Sequence, residues 1–216
     1  MPPLIRLLRP HQWLKNGFVF LGLLFGHAWT DPVKLGQALW AFTAFSLLAS
    51  AVYVMNDLVD RKQDRLHPKK KDRPLAAGTV SPGAAKALAL ACLLGGGAIA
   101  WFLAGSAPWI FLAYVLLNVG YSFGLKHVVI LDVFIIAAGF MLRILAGTQG
   151  IGIAPSQWLL LCGLMLTLSL GFAKRRAELL ALQSDSAGHR RVLEHYTASM
   201  LDQFIGIAAA GTVISY

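Results

Sequence analysis

Leu47-Leu48-Ala49-Ser50-Ala51-Val52-Tyr53-Val54-Met55-Asn56-Asp57-Leu58-Val59-Asp60-Arg61-Lys62-Gln63-Asp64-Arg65 carries an apolar run straight into a row of acids and bases. The apolar part reaches back to residue 35, and a span of about 20 mostly apolar residues is what a bilayer-crossing helix needs. Working outward, comparable segments lie near 17–30, 84–104, 107–125, 128–147, 156–173 and 200–216, the last stopping with the chain. The sequence therefore predicts an all-α, polytopic membrane helical bundle of about seven spans, forming a single domain over 1–216. Composition agrees: 57% of the 216 residues are hydrophobic and 13% charged, whereas soluble domains carry about 25% charged residues. A disordered chain, a collagen and a disulfide scaffold are excluded, and continuous apolar runs do not alternate as barrel strands do.

The net charge of +9 is placed one-sidedly. With the N-terminus in the cytoplasm, 17 of the 19 Lys and Arg residues fall on that side, all but Lys34 and Arg143. Positive-inside bias accounts for this without nucleic acid, and predicts a multi-pass protein of the bacterial inner membrane with its N-terminus inside. No cleavable signal is evident. Two long basic segments, about 57–83 and 174–199, face the cytoplasm and hold seven of the ten acids: Asp57, Asp60, Asp64, Asp72, Glu178, Asp185 and Glu194. Asp31-Pro32 and Ser81-Pro82 read as caps followed by proline at the first helical position. Gly95-Gly96-Gly97 would permit a close helix contact, and Cys92 and Cys162 are small packing residues inside spans.

Chemistry concentrates where the quoted run turns polar. Asn56, Asp60 and Asp64 recur every four residues and drift only about 80° around a helix, with Asp57 at the edge of the stripe. Hard oxygen donors on one face suit Mg²⁺; a solvated helix end paired with Arg61 and Arg65 would show the same pattern. Ionisable groups at a membrane boundary are costly and point to function. The loop that follows, Leu66 to Gly78, sets Lys69, Lys70, Lys71 and Arg73 within five residues. Such a cluster takes anionic lipid headgroups or a bound diphosphate. Tyr114, Asn118 and Tyr121 share a helix face and either line a cavity or bond between helices. Asp132 and Arg143 look along one inward face but stand about 16 Å apart. Asp132 either belongs to the site or orients Lys126, and Arg143 pairs with backbone carbonyls or holds the cavity. His11, His67 and His127 lack zinc-site spacing.

Asn-Asp-x-x-Asp-x-x-x-Asp followed by Arg73-Pro74-Leu75-Ala76-Ala77-Gly78 resembles the first signature of the UbiA-type intramembrane prenyltransferase superfamily. Leu8-Arg9-Pro10-His11-Gln12-Trp13-Leu14-Lys15-Asn16, His67-Pro68, Tyr121-Ser122-Phe123-Gly124-Leu125-Lys126-His127 and Phe172-Ala173-Lys174-Arg175-Arg176-Ala177-Glu178-Leu179 are similar to its decaprenyl-phosphate phosphoribosyltransferase branch. The resemblance implies a Mg²⁺-dependent enzyme that moves 5-phosphoribose from phosphoribosyl diphosphate to a polyprenyl phosphate and releases diphosphate. It implies Mg²⁺ on Asn56, Asp57, Asp60 and Asp64, and Asp60, Asp64 and Lys126 in catalysis. Substrate contacts would come from Lys15, Asn16, Arg61, Arg65, His67, Lys69, Lys70, Arg73, Asn118, Tyr121, Lys126, Asp132, Lys174, Arg175 and Glu178. The expected partners are the two substrates and the bilayer; nucleic acid is not among them, and a homo-oligomer is allowed.

Two departures from the superfamily matter. Its second aspartate-rich motif is replaced by Lys174-Arg175-Arg176 with the single acid Glu178, which suits an extra anionic group. Its usual nine helices exceed the seven read here, so a C-terminal truncation is expected. The alternatives are transfer of a prenyl group to an aromatic acceptor, and a non-catalytic polyprenyl-phosphate transporter or binding protein.

Overall fold

A computed structural model describes residues 2–67, 70–102, 104–105, 107–182 and 195–216, and among them every regular element is a helix. The central element follows from its opening residues. Asp31 accepts the Val33 and Lys34 amides at 2.9 and 3.2 Å, and Pro32 then begins the 28-residue α3 (Pro32–Val59). Asp60 ends α3, yet the Asp64 amide still bonds the Asp60 carbonyl at 2.8 Å. The short α4 (Arg61–Leu66) thus prolongs the helical course of the acidic row.

Ser81 caps the next helix by accepting the Ala84 amide at 3.2 Å, and α5 (Pro82–Phe102) packs along α3. Gly96 alone of the three consecutive glycines makes the close contact: a Cβ there would stand 2.9 Å from Leu48. After α6 (Pro108–Phe123), α7 (Leu131–Ala146) runs back between α6 and α8 (Gln157–Leu182), and α9 (Ala198–Ser215) packs along α8. Helices α3, α5, α8 and α9, and α7 with its extension to Ile151, are long and apolar enough to cross a bilayer; α6 is shorter. Large side chains such as Leu94, Trp101, Phe102, Val213 and Ile214 point outward. Water would penalise them by about 25 cal/mol per Å², and lipid does not. The chain is a multi-pass membrane protein.

The stretch expected to form the first crossing is built differently. α1 (Pro3–Leu8) stops at Arg9, whose φ of 54° breaks the helix, and Pro10 starts a 3-10 helix that runs to Phe20 before the brief α2 (Leu21–Phe25). Eleven residues is long for a 3-10 helix. Polar ties to α3 hold this strap: Trp13 Nε1 donates to Ser50 Oγ and Asn16 Nδ2 to Ser46 Oγ, both at 3.0 Å, while Ser50 Oγ donates to the Leu8 carbonyl at 2.9 Å. Ser46 and Ser50 are four residues apart and so present one face of α3. Backbones also cross tightly at the strap's far end. A Cβ on Gly147 would lie 1.7 Å from the Val19 carbonyl oxygen, and one on Gly22 would lie 1.6 Å from that of Gly147.

Overpacking of this kind costs about 1–3 kcal/mol or more. Gly147→Ala is therefore expected to lower the thermal midpoint in detergent markedly, whereas Gly97→Ala, with nothing within 4 Å of the new methyl, leaves it unchanged or raises it. Equal effects of the two substitutions would contradict the crossing.

Candidate functional site

At the end of the bundle where α3 gives way to α4, carboxylates are drawn inward and matched by cations from two other segments. Arg73 Nη1 bridges two buried acids, reaching Asp57 Oδ1 at 3.0 Å and Asp64 Oδ2 at 2.8 Å. Arg9, turned inward at the break after α1, contacts the same Asp57 oxygen at 2.6 Å, and Lys70 lies 3.9 Å from Asp64. Asp57 and Asp64 are seven residues apart and hence on one helix face. This pairing cuts across the expected stripe. Arg61 and Arg65 anchor the loop, their Nε groups donating to the Leu75 and Ala76 carbonyls at 3.0 Å.

A polar chamber of about 460 Å³ opens beside this cluster. Asn56, Asp57, Asp60, Lys70 and Arg73 line it, together with Asn118, Tyr121, Lys15 and Lys174. Among the described residues Asp60 has no ion-pair partner, and Asn56 and Asp60 also line a second, apolar groove of about 390 Å³ between α3, α5 and α6. Lys126 stands in that groove and not in the chamber. His67 lies near the acidic cluster in sequence, and Lys69 falls outside the described residues.

Arg143 also lines the chamber, and it pairs with a backbone carbonyl as expected. Its side chain is 5% exposed and is held by neutral partners: Asn16 Oδ1 at 2.7 Å, the Gly139 carbonyl at 2.6 Å and the Tyr114 hydroxyl at 3.0 Å. The rings of Phe45, Tyr114 and Phe140 surround the guanidinium at 4.7 to 5.5 Å. No carboxylate among the described residues balances it. Burial, Lys174 and Arg143 together push the Lys15 ammonium below the ordinary lysine value. Arg9, Gln12 and Tyr53 line the chamber as well. The break at Arg9-Pro10 was the signal available for them.

Asp132, Arg175 and Glu178 lie behind the wall. Arg175 is wholly buried, in an ion pair with Asp132 at 2.7 Å that is off the line of a hydrogen bond, and it also donates to Glu178. Its Nη2 reaches the Tyr121 hydroxyl at 3.4 Å. Asp132 thus pairs with Arg175, where Lys126 had been the candidate. Asp132 also accepts the Tyr196 hydroxyl at 2.8 Å, and Tyr196 accepts the Ile130 amide at 2.6 Å. Burial and the Asp132 carboxylate raise the Tyr196 hydroxyl above its ordinary value, which keeps it a donor. The relay ties the start of α7 to α8 and to the segment leading into α9.

Fold and site define a helical membrane protein with a charged chamber at one end of its bundle and an apolar groove against it. The chain belongs to the UbiA prenyltransferase family, whose sequence profile matches residues 17–213. It is 35% identical to the decaprenyl-phosphate phosphoribosyltransferase of Mycolicibacterium smegmatis over 99% of this chain and 68% of that protein. It is likewise 35% identical to that of Corynebacterium glutamicum, over 99% and 65%, and 37% identical to the nodulation protein NoeC of Azorhizobium caulinodans, over 83% and 58%. In structure it resembles a UbiA homolog from Archaeoglobus fulgidus bound to GPP and Mg²⁺, with a TM-score of 0.80 and 22% identity, covering 99% of this chain and 76% of the other. The chain spans about two thirds of the length of the phosphoribosyltransferase relatives.

Removing one partner of a buried ion pair costs about 3–5 kcal/mol, and Arg73 serves two acids at once. Arg73→Ala is expected to lower the thermal midpoint well beyond Lys71→Ala, and the double variant Arg73→Leu, Asp64→Leu to recover part of the loss. A midpoint unchanged in Arg73→Ala would show that the bridge does not hold the loop.

Proposed function

We propose that this protein transfers 5-phosphoribose from phosphoribosyl diphosphate to a decaprenyl-type polyprenyl phosphate, releasing diphosphate, with Mg²⁺, at the inner face of the bacterial plasma membrane. The observation that carries the reading is that Arg9, Lys15, Lys70, Arg73, Arg143 and Lys174 all line one polar chamber. Arg9, Lys70 and Arg73 gather at Asp57 and Asp64, while Lys15 feels the charges of Lys174 and Arg143. A donor that carries both a diphosphate and a 5-phosphate complements these two groups of cations. A prenyl diphosphate has one anionic end and would leave buried Arg143 without an anion, so it is the weaker reading. The names of the phosphoribosyltransferase relatives support the same choice, and the basic chamber end supports a cytoplasmic N-terminus.

Among the described residues no three acids stand together as a metal site, and Asp57 is engaged by Arg9 and Arg73. A magnesium ion keeps waters and takes phosphate oxygens, so Asn56 and Asp60, which line the chamber, would hold it, with Asp57 beside them and Asp64 acting through Arg73. Bound there, the ion would neutralise charge on the diphosphate as it leaves. The protein's own groups do the remainder. Arg9, Arg73 and Lys70 bind and stabilise the leaving diphosphate, Lys15, Arg143 and Lys174 fix the 5-phosphate, and Asn118 and Tyr121 face the ribose. An oxygen of the lipid phosphate forms the new bond to the anomeric carbon as the bond to diphosphate breaks. That nucleophile is already an anion, so no side chain has to remove a proton. Asp132 and Glu178 hold Arg175, which positions Tyr121.

The test is diphosphate release in nanodiscs with each component omitted in turn. Release is expected only with donor, polyprenyl phosphate and Mg²⁺ together, falling on the order of 100-fold in Asp60→Asn. Prenyl diphosphate plus an aromatic acceptor supporting turnover instead would overturn the assignment. Donor affinity is also expected to weaken as pH rises above neutrality, because Lys15 loses its proton below the usual lysine range and a bound phosphate favours the charged form. Lys15→Arg should flatten that dependence in a binding titration.

A further inference from the structure

The apolar groove between α3, α5 and α6 contains two lysines that the chamber does not explain. Lys86 projects from the second turn of α5, and Lys126 from the short 3-10 turn Leu125–His127 after α6. Neither has a carboxylate partner among the described residues. Ala51 and Ala89 form the groove's buried floor, and Leu90 and Val119 its exposed sides. One lysine near a membrane boundary can snorkel to water. Lys86 and Lys126 share the cleft with the single carboxylate of Asp60, so it keeps a net positive charge in apolar surroundings, which a bound anion offsets. Asn56 and Asp60 line both the groove and the chamber, so an anion seated at the lysines stands beside the place where the donor reacts.

We infer that this groove is the acceptor site: an isoprenoid monophosphate lies with its phosphate between Lys86 and Lys126 and its chain along Leu90 and Val119 into the bilayer. The inference rests on the phosphoribosyl-transfer reading for the identity of the acceptor, and adds where it binds and that Lys86 selects it. It also separates the substrates by chemistry. The doubly anionic, water-soluble donor takes the chamber; the amphiphile approaches from the lipid side. The groove encloses about 390 Å³ and Ala51 and Ala89 are among its buried lining, which suits a single methyl-branched chain better than the paired chains of a phospholipid.

The full chain in nanodiscs, photolabelled with a diazirine-bearing polyprenyl phosphate, should give adducts on α5 and α6 around Leu90 and Val119. Unlabelled polyprenyl phosphate should displace the probe, and phosphatidic acid should not. Lys86→Ala should raise the KM for polyprenyl phosphate about tenfold, the loss of one charge-assisted contact, with the KM for phosphoribosyl diphosphate unchanged. Val119→Trp, at an exposed position, should block labelling without shifting the thermal midpoint. Adducts on another face, equal displacement by phosphatidic acid, or a parallel rise in both KM values would each overturn the site. Labelling does not need turnover. Groove adducts in a protein that releases no diphosphate would therefore remove the activity reading and keep the groove, while transfer with adducts elsewhere would do the reverse.

Discussion

The bridge from Arg73 to Asp57 and Asp64 is the constraint from which the working end of this molecule is built. Two carboxylates taken out of water at the end of a long apolar helix are costly unless cations meet them directly. No cation on α3 does so. The partners come instead from the loop after α4 and from the break after α1, and both segments are thereby folded over the end of α3. The anchors from Arg61 and Arg65 to the loop carbonyls complete the arrangement. The acids thus organise the cations that line the chamber, and the chamber inherits a fixed, dense positive charge on one wall.

Around Arg143, which lines the same chamber, the logic is reversed. Arg143 is held by an amide, a carbonyl, a phenol and three rings, all of them neutral. These partners satisfy its hydrogen bonds and fix its place without cancelling its charge. A guanidinium neutralised by a buried acid would attract no anion. Held this way it keeps its full charge in a low-dielectric setting, where attraction to an incoming phosphate is strongest. Asp132 and Arg175, a short way off, show the other solution: that pair is mutually neutralised and serves to hold helices together.

Much of this was legible in the sequence because it is local. Apolar runs of bilayer length fixed six of the helices to within a few residues, except that α8 continues well past its apolar part, and Asp31-Pro32 and Ser81-Pro82 begin helices as their cap chemistry requires. The row from Asn56 to Asp64 and the loop cations pointed to the end of the bundle where the structure brings buried acids and cations together. The details that escaped depend on partners far away in sequence. Four-residue spacing grouped Asn56, Asp60 and Asp64, but Asp57 and Asp64 share Arg73, which no periodicity within the helix reveals. Asp132 had Lys126 as a nearby candidate and pairs with Arg175 across another helix. The stretch near 17–30 reads as apolar and therefore as a crossing helix, whereas its first residues belong to the strap from Pro10 to Phe20, held by serines on α3 and by a glycine at the end of α7.

That strap has a consequence for how the protein is made. Asn16 donates through its amide nitrogen to Ser46 on α3 and accepts from Arg143 on α7 through its oxygen, and its neighbour Val19 meets the backbone at Gly147. Every one of these partners is synthesised later. Alone in a bilayer, the strap would carry an unsatisfied amide and charged flanks that lipid cannot accommodate. A segment made before its partners thus reaches its final place only once they are in the membrane, and assembly of the chamber is coupled to insertion of α3 and α7.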